Sequence, residues 1–119
     1  MNKSSVRNLE VAVIGDQELV SVLRLAGVRK THVIPGERNA AEEVRSTLRE
    51  YVSDHEVGVV VLLEEFAAIA GDVVAQMRQS KSVLPVVVEV PSKQGTKRTD
   101  VVSYYKRFCR EFLGFDIEI

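Results

Sequence analysis

Seven residues from Val57 to Leu63 (VGVVVLL) carry no charge, no polar side chain and no alternation. A strand with one wet face alternates polar with apolar, so an unbroken apolar run of strand length must be covered on both sides. Crossover helices on both faces of a parallel sheet supply that cover. The rest of the chain reads as the parts of such a sandwich. Leu9 to Ile14 (LEVAVI) is a second, mainly apolar run that breaks at Gly15-Asp16, a turn pair able to cap a helix. Leu19, Val22, Leu23 and Ala26 follow at helical spacing, and Gly27 is placed to end that helix.

Lys30 to Pro35 is a short strand that stops at a Pro-Gly turn. Asn39 stands as cap of the next helix, with Glu42 at capping-box spacing. Its buried face is Ala41, Val44, Leu48 and Tyr51 or Val52, and Glu42, Glu43, Arg45, Arg49 and Glu50 are solvated. Glu64-Glu65 opens a third helix with Phe66, Ile69 or Ala70, Val73 and Met77 inward, and Gly71 marks where it would kink. Pro85 leads into VVVEV, the fourth strand, which Pro91 stops. The alternation of strand and helix with short loops predicts a doubly wound α/β fold with right-handed crossovers. Strand order 2-1-3-4 places both continuous apolar strands inside. The expected body is therefore residues 1–91, a four-stranded parallel sheet with flanking helices, Rossmann-like or receiver-like.

Residues 92–99 differ in kind: polar, glycine-containing and aperiodic, they read as a flexible linker. Asp100 can cap a last helix that runs to Gly114, within a C-terminal unit of residues 100–119. At about 100° per residue, Val101, Tyr104, Tyr105, Phe108, Cys109 and Phe112 share one side. Ser103, Lys106, Arg107 and Arg110 share the other. Five of the chain's seven aromatics lie in this segment, so the apolar stripe must dock on something, either the chain's own body or a partner's helices. The charge is uneven in the same sense. Residues 1–92 hold 10 Lys/Arg against 13 Asp/Glu, and residues 93–119 hold 6 against 4.

The chemistry of known site types is missing. No GxGxxG and no Walker A lysine follows a strand, and a lone Gly-Asp is an ordinary turn. A receiver domain needs an acidic pair after strand 1, an Asp ending strand 3 and a Lys ending the last strand. Here those exits hold Asp16 alone, Leu63-Glu64 and Glu89. Asp16, Glu64 and Glu65 suit helix starts better than a magnesium site. Cys109 has no nearby His, and His32 and His55 stand apart. The expectation is a non-enzyme with no catalytic residue, cofactor or metal. A net charge of −1 implies no wholesale attraction to nucleic acid, and no run approaches a membrane span. A single Cys fits a cytoplasmic setting.

Taken together and in order, VAVIGD, RLAGV (Arg24 to Val28), VGVVVLLEE and LPVVVEVPSKQG resemble the F subunit of the A-type and V-type rotary ATP synthases and ATPases. The resemblance spans nearly the whole chain from Leu9, and the co-occurrence carries it rather than any one motif. It implies a non-catalytic central-stalk subunit, peripheral to the membrane and paired with the coiled-coil D subunit. It also implies a mobile C-terminal helix that meets the catalytic hexamer and modulates ATP turnover. On that reading the partner-binding residues are Val101, Tyr104, Tyr105, Phe108 and Phe112 on the stripe, with Lys106, Arg107 and Arg110 outward. The alternative is a receiver-like signalling domain that lacks its phosphoacceptor and acts through protein contacts.

Overall fold

The computed structural model describes residues 9–36, 38–80, 85–91, 101–108 and 110–111. The linker at 92–99, the Asp100 cap, Cys109, Phe112 and the helix end at Gly114 lie outside the described residues. β1 spans Glu10–Gly15, α1 Gln17–Leu25, β2 Lys30–Val33, α2 Ala40–Ser53 and β3 Val57–Leu63. Then follow α3 Glu64–Ile69, α4 Gly71–Gln79, β4 Val86–Val90 and α5 Val101–Phe108. The four strands form one parallel sheet in the order β2-β1-β3-β4. This is the α/β architecture and strand order that the sequence predicts.

Double-sided burial of the central strands is nearly complete, with only Glu10, Val11 and Val59 half-buried. Val60, Val61, Leu62 and Leu63 of β3 and Ala12, Val13 and Ile14 of β1 are all fully buried. Two layers of helices do the covering: α1 packs with α5, while α2 packs with α3 and α4. Neighbouring residues of β2 address the two layers in turn. Thr31 accepts a hydrogen bond from Arg24 Nε of α1 at 3.1 Å, and His32 Nε2 lies 2.6 Å from Glu43 Oε2 of α2.

The first βα turn follows the expected plan. The Asp16 carboxylate accepts from Leu19 N at 2.9 Å and caps α1, and Gly27, at φ +100°, ends the helix in the left-handed conformation that favours glycine. Gly15 is required for a different reason. A Cβ there would lie 2.8 Å from Leu19 Cδ2 and 3.3 Å from its Cβ, and Leu19 is fully buried. Closure of α1 onto the sheet thus depends on a missing methyl group.

Two local expectations are corrected. Asn39 occupies the cap position of α2 and its carbonyl accepts from Glu43 N, but its side chain makes no capping bond. Its backbone is left-handed (φ 61°, ψ 17°), a conformation Asn tolerates, whereas side-chain capping normally accompanies an extended cap residue. The third helix is also two helices. Ala70 departs from helical geometry (φ −102°, ψ 34°), α4 restarts at Gly71, and Arg45 of α2 reaches across to the Ile69 carbonyl at 3.4 Å and to Asp72 at 3.1 Å. Of the two inward candidates, Ala70 is fully buried and Ile69 is 38% exposed.

The two edges of the sheet are unlike. On β2, Lys30 forms ion pairs with Asp54 at 3.1 Å and Glu56 at 3.6 Å. On β4, Val86 is 48% exposed and the charge of Glu89 is met by Arg78 at 2.7 Å.

Gly15→Ala is expected to cost about 1–3 kcal/mol by overpacking against Leu19. Gly71→Ala, where a Cβ meets nothing within 4 Å, should shift stability by less than about 1 kcal/mol. Urea unfolding of both variants checks the contrast. A second expectation concerns acid. The backbone N–H of Glu56 and then the Lys30 ammonium hold the Asp54 carboxyl below its ordinary 3.8, and Arg45 does the same for Asp72. Carboxyls depressed in the folded state stabilise it above their unfolded pKa, and that contribution disappears as pH falls through the folded values. The melting temperature should therefore decline below about pH 4. Asp54→Asn should flatten that decline in calorimetric scans between pH 6 and 3.

Candidate functional site

Two of the strand exits, where an α/β sheet usually takes its ligand, are occupied by the chain's own charged groups. The α1 N-terminus, the place a phosphate takes in a dinucleotide-binding turn, holds the Asp16 carboxylate instead. At the end of β3, Glu64 and Glu65 sit exposed in the first turn of α3. Glu89 of β4 is engaged by Arg78. Among the described residues no three His, Cys, Asp or Glu side chains come together as a metal site. Nor is any helix there long and apolar enough to cross a membrane.

The remaining sequence-derived site is α5. Tyr105 is fully buried and belongs to the same core cluster as the sheet, on the side where α5 packs with α1. Lys106 is half-buried, and Arg107 and Arg110 are exposed. Val101, Tyr104 and Phe108 lie within the helix, though their side chains, like all of Phe112, fall outside the described residues. The structure thus joins one stripe residue to the chain's own body and leaves two basic residues in solvent.

One surface feature had no signal in the sequence. Ile34 after β2, Ala40 and Ala41 at the start of α2, and Phe66 and Ile69 on α3 line an open groove of about 430 Å³ at the carboxyl edge of the sheet. Glu65 stands on its rim. Periodicity could not reveal this groove, because its formation depends on the break at Ala70 and on two helices distant in sequence.

Comparison with known proteins bears on the same architecture. A family profile described as ATP synthase (F/14-kDa) subunit matches residues 11–107, from β1 through most of α5. The F subunit of the A-type ATP synthase of Pyrococcus abyssi is 30% identical over 110 residues, covering 92% of this chain and 99% of that protein. Its counterpart of the same name in Methanococcus maripaludis is 29% identical over 112 residues, covering 92% of this chain and 100% of that protein. The crystal structure of the F subunit of the V-type ATP synthase from Archaeoglobus fulgidus superposes with a TM-score of 0.58 at 21% identity, covering 71% of this chain and 99% of that one. At that identity the likeness speaks for the fold.

A fragment ending at Pro91 retains four strands and α1 to α4. It is expected to unfold cooperatively, at a lower temperature than the full chain, since the surface that holds Tyr105 becomes exposed. Thermal melts of the two proteins by circular dichroism check this.

Proposed function

The chain belongs to the ATP synthase (F/14-kDa) subunit family, and from that membership we propose that it is a non-catalytic central-stalk subunit of an A/V-type ATP synthase. In this reading it pairs with the coiled-coil D subunit and sits peripheral to the membrane on the cytoplasmic side. Its C-terminal helix, by changing position, modulates ATP turnover in the catalytic hexamer. The observation that carries the reading is the span of the family match, which takes in both the α/β body and α5 rather than the body alone.

The placement of α5 agrees with a regulatory role. A helix of eight described residues is too short to hold together in isolation and must dock somewhere. One docking position is the body, through Tyr105 against α1. The solvent-facing Arg107 and Arg110 are then free to meet an acidic surface in the assembled motor. Exposed ion pairs are worth only about 0–1 kcal/mol each and are screened by salt. Their role is to bias the position of the helix, and assembly rests on other contacts.

The double variant Arg107→Glu, Arg110→Glu should co-purify with the D subunit as well as the natural chain does. ATP hydrolysis by the complex should change, and the change should shrink as ionic strength rises. Unaltered turnover in a correctly assembled complex would make α5 a structural helix only.

A further inference from the structure

We infer that the groove at the carboxyl edge of the sheet docks a helix of the protein's partner that presents an aliphatic side chain beside a Lys or Arg. The inference rests on the central-stalk reading and adds to it the face of the body that makes the contact.

Four large hydrophobic side chains are exposed among the described residues: Leu9, Leu25, Ile69 and Val86. Of these, only Ile69 borders one of the described concavities. The floor beneath it is Ile34, Ala40 and Phe66, all largely buried, with half-buried Ala41 beside them. Nothing lies within 4 Å of the position a Cβ would take on Gly36 at the same groove. Small residues along one wall and open space above a backbone let another helix come close, and a protruding aliphatic group would complete the apolar floor.

Charge decides the kind of helix. Glu65 on the rim and Glu42 one residue beyond Ala41 are exposed, and no ion pair to either is formed among the described residues. Arg45, the cation on the α2 side of Ile69, is already committed to Asp72 at 3.1 Å. Arg38 is the one other basic residue in the segment that precedes α2. The rim therefore offers the Glu65 carboxylate beside an apolar centre, with Glu42 exposed on the same helix as Ala41, the complement of a helix with a basic residue next to its knob. The groove between α3, α4 and β4 also has small residues in its walls, Ala67, Ala68, Gly71 and Ala75, but no exposed large aliphatic side chain borders it, and its Arg78 and Glu89 neutralise each other.

The position of Ile69 is fixed rather than incidental. Ile69 closes α3 with its side chain exposed, and the Arg45 guanidinium donates to the Ile69 carbonyl at 3.4 Å while it binds Asp72 on the next helix. A preset apolar group costs less ordering on binding than a mobile one.

The test uses the full chain with the D subunit, measuring affinity by biolayer interferometry, with thermal melts of every variant. Ile69→Ser and Glu65→Lys should each weaken binding about tenfold or more. Glu65→Lys should also flatten the salt dependence of the association rate. Leu25→Ser removes a more exposed aliphatic group, at 59%, from the far end of α1 and should leave binding unchanged. Because Glu65 is exposed, its variant reports even where Ile69→Ser lowers the melt. If the natural chain binds and both groove variants bind equally well, or Leu25→Ser weakens binding as much, the groove assignment is overturned and the central-stalk reading stands. If the natural chain does not bind the D subunit at all, both are overturned.

Discussion

Everything in this fold follows from the need to keep β3 dry on both sides. Val60 to Leu63 have no polar side-chain atom with which to face water, and Ala12 to Ile14 of β1 beside them are equally closed. A helical layer on one face alone would leave half of that surface wet, at roughly 25 cal/mol per Å² of apolar area. The chain meets the need by reversing direction at β1. α1 is carried toward β2 on one face, and α2, α3 and α4 return on the other. With only α1 on its side, the first face would be thinly covered. α5 adds to that layer, and Tyr105 is its fully buried contribution. The last described helix therefore belongs to the core.

What could be read from the sequence divides along a physical line. Features set by local chemistry were legible. The apolar runs gave the strands, Asp16 and Gly27 gave the limits of α1, and the two central strands dictated the order of the sheet. Features set by contact between distant segments were not. Asn39 has the right identity for a side-chain cap, yet a left-handed backbone follows the Pro-Gly turn and the capping bond is not made. Ile69 and Ala70 were equivalent on helical periodicity. Burial of Ala70 against the sheet and the hold of Arg45 on the Ile69 carbonyl separate them. The groove beside them needs both events and so left no trace in any one segment.

For the C-terminal helix, the sequence predicts a stripe that must dock and leaves two surfaces open to it. Tyr105 uses the chain's own body. Full burial of one large side chain is worth roughly 2–3 kcal/mol, of the order at which two docking positions can compete. By contrast the body is held by more than twenty buried apolar side chains. Loss of the Tyr105 contact would therefore leave most of the body's core in place.

The strand order also governs how the chain reaches its fold. Ala12 pairs with Lys30 on one side and with Val60 on the other. During synthesis β1, α1 and β2 emerge early and close one edge of β1, yet its second edge and one face stay unfilled until β3 has left the ribosome. Long-range parallel pairing of this kind is slow compared with local contacts. In the interval, a valine-rich edge is open to pairing with other chains. Once the segment before β3 has emerged, the Lys30 ammonium on β2 meets Asp54 and Glu56, which lead directly into β3. These ion pairs thus connect the strands on either side of β1 at the end where β3 begins.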